Sequence, residues 1–397
     1  MQHLALVNGR APGTGYTPQD PSRSQCAWGY TGGTGAAIDV RDATLHVIDV
    51  DFRNNAAASP GPDVGGGAIY VLGSLDATIV GSRFTGNTGS NAGAIGLLQT
   101  DGRVVNSTFQ GNRATGSGMN SVDDSCPSGQ SGAGGNAGAV GIDGSDDVDQ
   151  LVCGSTFVDN HATELGGALG RTANASPRRT TIDRSLFDRN GARQAGAIFV
   201  SNSAPLEIFA STFTGNSAVM FGGAQVERGR LAMVNSTFAG NQATQGLGGA
   251  LMVNGVDPAS AITNATFANN ASSAGSGYFS AAIAGQLNFP VNNTVFSNNL
   301  TNDGGSPMQC TFTPTTGAGD LQWPRNHVLG GAPDTSCVQG IAFADPLLGA
   351  LGDNGGPTPT MLPAANSPLH GLGRNCPSTD QRGRPRNASS CTAGAVE

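Results

Sequence analysis

A Phe-x-x-Asn motif recurs through most of this chain and constrains its fold more than any other feature. The motif occurs nine times, and uninterrupted copies are 25 or 26 residues apart, as between Phe84 and Phe109 or between Phe187 and Phe213. A run of small residues, Gly-Gly-Ala or a close variant, precedes each copy. A short fixed period predicts a solenoid in which each repeat forms one turn. The nine aromatic positions are Phe52, Phe84, Phe109, Phe157, Phe187, Phe213, Phe238, Phe267 and Phe296.

The residues between these fixed points alternate between apolar and polar, as in 197–200 and 231–234. Alternation with a period of two is typical of β-strands. The 61 Gly and 21 Pro among 397 residues also disfavour helices. The sequence therefore predicts an all-β protein, a right-handed parallel β-helix of about nine turns.

Alignment of the repeats on their Phe predicts which side chains point inward. The position five residues before Phe is always apolar, and the position two before is small and mostly hydroxylic. The position three after is always Asn, so stacked turns would place these amides within hydrogen-bonding reach of one another. We expect an interior Asn ladder that includes Asn87, Asn112, Asn160, Asn190, Asn216, Asn241 and Asn270.

The repeat pattern divides the chain into three parts. Residues 1–34 hold the end of an incomplete turn and a polar loop, residues 35–299 hold the repeats, and residues 300–397 form an irregular segment expected to cap the C-terminal end. Insertions at 10–33, 53–65 and 113–135 all precede a small-residue run. We expect them to emerge on one edge, where they can wall a groove.

Charge and cysteine content limit the partners and the compartment. The net charge of −8 argues against nucleic acid, and no apolar run is long enough to span a membrane. The cysteines group as Cys126 with Cys153, Cys310 with Cys337 and Cys376 with Cys391, which leaves Cys26. Such pairs predict disulfides, an oxidising compartment, and therefore an exported protein. The first residues resemble the end of a turn rather than a signal peptide, so we expect upstream sequence, and we expect a monomer.

Three resemblances refine this picture. Asp353-Asn354-Gly355-Gly356-Pro357, Cys376-Pro377 and Asp380-Gln381-Arg382-Gly383 resemble the choice-of-anchor Q domain of bacterial exported proteins. The paired Gly-Gly-Ala and Phe-x-x-Asn motifs resemble the passenger domains of chlamydial polymorphic membrane proteins, and the architecture resembles the pectate-lyase-like β-helix. The first two resemblances imply a secreted or surface-displayed, adhesin-like protein. The pectate-lyase-like architecture also hosts polysaccharide lyases and glycoside hydrolases.

A mixed-charge group is the strongest candidate for catalysis. A glycosidase needs paired carboxylates and a lyase needs a base, and both groups occur near one turn. The same residues also fit a set of surface ion pairs, each worth less than about 1 kcal/mol. The candidates are Asp159, His161, Glu164, Arg171 and Asp188.

Two further groups are candidates for ligand binding. Asp143, Asp146, Asp147 and Asp149 supply carboxylate oxygens suited to Ca²⁺, or form a solvated acidic turn. Tyr16, Trp28 and Tyr30 form an aromatic loop that either stacks on sugar rings or packs against the first turns.

Three functions remain open from the sequence. The first is an adhesin-like protein that binds a polysaccharide, a cell-surface glycan or a surface protein. The second is a polysaccharide lyase or glycoside hydrolase with a groove beside the insertions. The third is a structural stalk, which the small outward residues Gly96, Gly141 and Gly170 favour.

Overall fold

The alternating segments of the sequence form short parallel strands. In the computed structural model the chain is an all-β solenoid of about eight turns, and no described residue is helical. No helix in the described part is therefore long and apolar enough to cross a membrane. The described residues are 1–12, 17–20, 23–28, 33–59, 61, 64–119, 132–144, 149–172, 178–201, 204–273, 280–301, 309–311, 314–327, 330–387 and 389–397.

The chain divides into two compact units, residues 1–178 with 189–202 and residues 179–188 with 203–397. This division falls within the repeats, so it does not coincide with the sequence boundaries at 34/35 and 299/300. Each unit has three parallel sheets, named here by the residues that adjoin them. The Phe sheet contains the strands around each Phe, the Asn sheet those after each Asn, and the Gly sheet those after each small-residue run.

The strands of the first unit are as follows. The Phe sheet contains Gln2–Val7, Leu45–Arg53, Ala77–Val80, Arg83–Thr85, Gly102–Val105, Thr108–Gln110, Gln150–Cys153 and Thr156–Val158. The Asn sheet contains Thr88–Gly89, Arg113–Ala114, His161–Ala162 and Gly191–Gln194. The Gly sheet contains Ile38–Arg41, Ile69–Leu72, Ile95–Leu98, Val140–Asp143, Leu169–Thr172 and Ile198–Ser201. A separate antiparallel pair is formed by Thr17–Asp20 and Arg23–Trp28.

The strands of the second unit follow the same order. The Phe sheet contains Thr180–Asp183, Leu186–Asp188, Leu206–Phe209, Thr212–Thr214, Leu231–Val234, Thr237–Ala239, Ala261–Thr263, Thr266–Ala268, Val291–Asn292, Val295–Ser297, Leu321–Trp323 and Ala342–Phe343. The Asn sheet contains Ser217–Met220, Gln242–Ala243, Ala271–Ser272 and Leu300–Thr301. The Gly sheet contains Ala224–Glu227, Leu251–Asn254 and Ile283–Gly285.

Stacked interior columns hold successive turns in register. In the first unit the rings of Phe52 and Phe84 stack with centroids 4.7 Å apart, and both rings are fully buried. The Asn87 side chain donates to Asn112 Oδ1 at 2.9 Å and to the Phe52 carbonyl at 3.1 Å. The Asn112 side chain repeats the first of these bonds with Asn160 at 2.9 Å. These repeated bonds satisfy polar groups that the tight turn would otherwise leave buried and unpaired.

Polar residues end these columns in the second unit. Asn299 donates to Gln309 Oε1 at 2.7 Å, and Gln322 lies opposite Phe296 in the strand register. Asp320 Oδ1 accepts a bond from the backbone N–H of Thr294 at 2.8 Å, in the place of the small hydroxylic column. Burial raises the pKa of Asp320 to about 8, which favours the neutral form of this carboxyl. The last turn is therefore closed by hydrogen bonds rather than by further apolar stacking.

The C-terminal segment covers a side of the second unit as well as its end. Gln381 is buried and accepts a bond from Thr237 Oγ1 at 2.7 Å, while its amide donates to Thr212 at 2.7 Å. The backbone N–H of Ala395 donates to Thr266 Oγ1 at 3.0 Å. The sequence predicts a cap over the open end, and the structure adds this contact along the side of the Phe sheet. The disulfides Cys310–Cys337 and Cys376–Cys391 are present as predicted.

Removal of one ladder amide tests how much the column contributes to stability. Asn216 is fully buried and donates to Asn241 Oδ1 at 2.9 Å and to the Phe187 carbonyl at 2.9 Å. Asn216→Ala should lower the free energy of unfolding by about 1–3 kcal/mol, because neighbouring buried groups lose their partners. Chemical denaturation measures the change, with the exposed Asn254→Ala as the control. Equal stability of the two variants would contradict a buried ladder.

Candidate functional site

The Gly sheet of the first unit has an outward column that lacks side chains at its centre. The five aligned residues are Tyr70, Gly96, Gly141, Gly170 and Phe199. The inward residues of the same strands, such as Ile69 and Ile198, are fully buried. Four strand steps of about 4.8 Å separate the two aromatic residues, a span of roughly 19 Å. The three glycines therefore form the floor of a groove that ends at Tyr70 and Phe199.

The groove is preformed and mostly apolar. The groove is small, with a cavity volume of about 70 Å³. A Cβ atom on Gly141 would lie 2.8 Å from Ala92 Cβ, and one on Gly170 would lie 3.2 Å from Ala137 Cβ. The turn residues Ala92 and Ala137 thus pack against the glycines and leave little room for side chains there. Leu98, Asp143 and Thr172 line the groove as well.

Its polar side chains are few, namely Asn91, Asn136, Asp143 and Thr172 among the described lining residues. Asn91 Oδ1 accepts a bond from the backbone N–H of Asn136 at 3.0 Å. The side-chain oxygen of Asn136 is buried, and it has no hydrogen-bond partner among the described residues. Asp143 is the one carboxylate among the described residues that line the groove. A ligand in this groove would therefore meet mostly apolar surface with a few polar groups.

The predicted insertions meet along the turn edge of this groove. The backbone N–H of Gly61 donates to the Ala133 carbonyl at 3.0 Å, which joins the second insertion to the third. Ser90 Oγ donates to the Gly61 carbonyl at 2.6 Å. The backbone N–H of Ala58 donates to the carbonyl of Gly33, at the end of the first insertion, at 2.8 Å. These contacts agree with the expectation that the insertions share one edge.

Glu164, a candidate catalytic acid, holds the start of the third insertion in place through its carboxylate. Its Oε1 atom accepts a bond from the backbone N–H of Gly118 at 2.8 Å, and its Oε2 atom pairs with Arg193. Met119 then packs on a cluster that includes Leu165 and Phe199. The carboxylate of Glu164 thus holds residues 116–119 beside one end of the groove.

The other catalytic candidates occupy separate environments. Asp159 pairs with Arg189 through a 3.1 Å contact, with both side chains about half exposed. Partial burial and the neighbouring Arg113 charge lower the pKa of His161. Asp188 belongs to the second unit. Pairing Asp159 and Glu164 each with an arginine matches the ion-pair interpretation better than an acid and base at one site.

Arg171 points into the interior of the solenoid. It lies between Ile142 and Val200 in the strand register and is 1% exposed. Its guanidinium donates to the Arg178 carbonyl at 3.1 Å. Burial lowers its pKa to about 10, although the Asp149 and Asp101 charges oppose this shift. Arg171 is therefore a core residue of the first unit.

The remaining candidate sites fall partly outside the described residues. Asp146, Asp147, Tyr16, Tyr30 and Cys126 lie outside them. Of the acidic turn, Asp143 lines the groove and Asp149 is exposed. No group of three or more metal-binding side chains occurs within the described part of the chain. Trp28 ends a strand of the antiparallel pair, the neighbouring Cys26 lies in the same strand, and Cys153 ends a strand of the Phe sheet.

The sequence reasoning missed Tyr70, Phe199 and Asn136 as groove residues. The signal was available, because alignment on the small-residue runs places an aromatic residue, three glycines and a second aromatic residue in one column. Alignment on Phe instead drew attention to the Phe sheet, whereas the glycine column lies in the Gly sheet. The three glycines, which the sequence associates with a featureless stalk, are the floor of the groove.

Comparison with known proteins adds no relative: no family model, curated protein sequence or solved structure matches the chain.

Loss of the Glu164 carboxylate should release the third insertion. In Glu164→Ala, amide exchange at residues 116–119 should be about tenfold to hundredfold faster, because a hydrogen bond to a charged group contributes about 1.5–3 kcal/mol. Hydrogen–deuterium exchange measures this rate. The control is Glu207→Ala, which removes the Arg179 ion pair in the second unit. Unchanged exchange at Gly118 would contradict the fastening role.

Proposed function

We propose that the chain is a binding module of a secreted or surface-displayed protein, adhesin-like in action, that holds a glycan or another cell-surface ligand in the groove of the first unit. The observation that carries this proposal is the glycine floor between Tyr70 and Phe199. A preformed, largely apolar concavity with a few polar groups is the usual form of a ligand site. Disulfides in the second unit support an oxidising, extracellular location.

Binding without catalysis fits the groove better than hydrolysis. A glycoside hydrolase uses two carboxyl groups that flank the scissile bond. Asp143 is the one carboxylate that the described lining provides, and Glu164 is engaged with Gly118 and Arg193. The arrangement supports recognition of a ligand along the floor rather than acid–base chemistry on it.

The groove also favours binding over a stalk. A stalk needs only a regular surface, and ordinary polar side chains on the outward column would serve it. Here three consecutive turns carry glycine, and the flanking turns carry Tyr70 and Phe199, each 8% exposed. The two aromatic side chains line the groove at its two ends.

Filling the groove tests the proposal. Gly170→Leu should place a side chain on the floor and reduce binding on a glycan microarray at least about tenfold, which corresponds to about 1.4 kcal/mol. The control is Ala232→Leu, which introduces the same side chain at a partly exposed strand position in the second unit. Unchanged binding by a correctly folded Gly170→Leu variant, verified by circular dichroism, would place the ligand elsewhere.

A further inference from the structure

A larger cavity lies in the second unit, where the C-terminal segment packs beside the Phe sheet. Its volume is about 610 Å³, against about 70 Å³ for the groove of the first unit. A volume of this size is within the range of small-molecule sites. One side of the cavity is the segment 345–351, named here the wall. The opposite side consists of solenoid residues that follow the core Phe positions, namely Thr214, Ala239, Gly240, Asn269, Ser297 and Asn298.

Hydrogen bonds hold the wall in a defined conformation. Asp345 Oδ1 accepts a bond from the backbone N–H of Leu347 at 2.9 Å. The backbone N–H of Gly349 donates to the Leu362 carbonyl at 2.7 Å, and that of Ala364 donates to the Leu347 carbonyl at 2.9 Å. The wall is thus tied at both its ends, and the cavity is formed without a ligand.

Two side-chain amides from adjacent turns line the cavity. Asn269 and Asn298 are both exposed, and each has a left-handed backbone, with φ of 55° and 51°. The backbone N–H of Asn269 donates to the Ser297 carbonyl at 2.9 Å, so the two amides lie about one strand spacing of 4.8 Å apart. Each amide offers both donors and an acceptor, and Asp345 adds a carboxylate. A matching ligand must therefore both donate and accept hydrogen bonds.

The charge and the apolar surface of the cavity narrow the ligand class. Leu347 is 36% exposed, and Leu348 and Leu351 are half-buried. No basic residue occurs in the described lining, so an anionic ligand would lack a cationic partner and would meet the charge of Asp345. An ammonium group would suit that carboxylate but would leave the N–H donors of the amides unmatched. An uncharged sugar matches all three features, because its hydroxyls donate and accept beside apolar C–H faces.

We propose that this cavity is a sugar-binding site, separate from the groove of the first unit, for one or two uncharged sugar rings. The ring hydroxyls bond to the side chains of Asn269, Asn298 and Asp345. An apolar ring face lies against Leu347 and Leu348. The inference goes beyond the proposed function, since the residues that carry it all belong to the second unit.

Titration with disaccharides, followed by saturation-transfer nuclear magnetic resonance, tests the proposal. Wild-type protein should bind at least one of lactose, maltose, cellobiose and diacetylchitobiose, and should bind digalacturonate at least about tenfold more weakly. The double variant Asn269→Gly/Asn298→Gly should weaken binding of the neutral disaccharide at least about tenfold. Glycine keeps the left-handed backbone, and Gly215 and Gly240 occupy the same position in two preceding turns.

A matched control separates loss of the amides from a general effect of glycine in the turn. Asn54 is exposed, has a φ of 55°, and occupies the same position of a turn in the first unit. Asn54→Gly should therefore leave disaccharide binding unchanged. Equal losses in Asn54→Gly and in the double variant, both verified as folded by circular dichroism, would overturn the assignment of the two amides.

The outcomes distinguish this inference from the proposed function. Gly170→Leu fills the groove of the first unit and should leave disaccharide binding unchanged. Disaccharide binding that Gly170→Leu abolishes and the double variant retains would overturn this inference and leave the proposed function standing. Glycan-array binding that survives Gly170→Leu and is lost in the double variant would do the reverse. Preferential binding of digalacturonate, or failure of every disaccharide to bind the wild type, would overturn the inference alone.

Discussion

Repeated stacking of identical side chains at the strand spacing is the interaction on which the rest of the structure depends. Within each unit the Phe rings and Asn amides of one turn contact those of the next, as Phe84 contacts Phe109 and Asn87 contacts Asn112. This stacking fixes the register of the turns, since a shift of one residue would bring outward side chains into the interior. Outward residues are then aligned too, and a column of three glycines becomes a continuous groove.

Polar residues end the interior columns at the last turn of the repeated core. A last apolar turn would expose both its column and an unpaired strand edge. In the second unit, Asp320, Gln322 and Gln309 take the places of the repeated residues and bond to the turn before them or to the loop that follows. Gln381 and its neighbours then cover the side of the Phe sheet. The C-terminal segment is thus an integral part of that unit.

The fold could be predicted because each repeat supplies an independent observation of the same column. The Asn position and the apolar position five residues before Phe leave one interpretation, parallel strands in register. The site was harder to predict, because each of its residues occurs once. Glu164 resembled a catalytic acid until its bonds to Gly118 and Arg193 were visible. Arg171 resembled a surface residue, although strand alternation places it beside Ile142 in the interior.

The central claim is that the glycine column of the first unit is where the ligand lies. A crystal structure of the protein with a bound oligosaccharide, at a concentration that saturates binding in solution, tests it most directly. We expect ligand density along Gly96, Gly141 and Gly170. Ordered sugar on another face, with this column empty, would contradict the account.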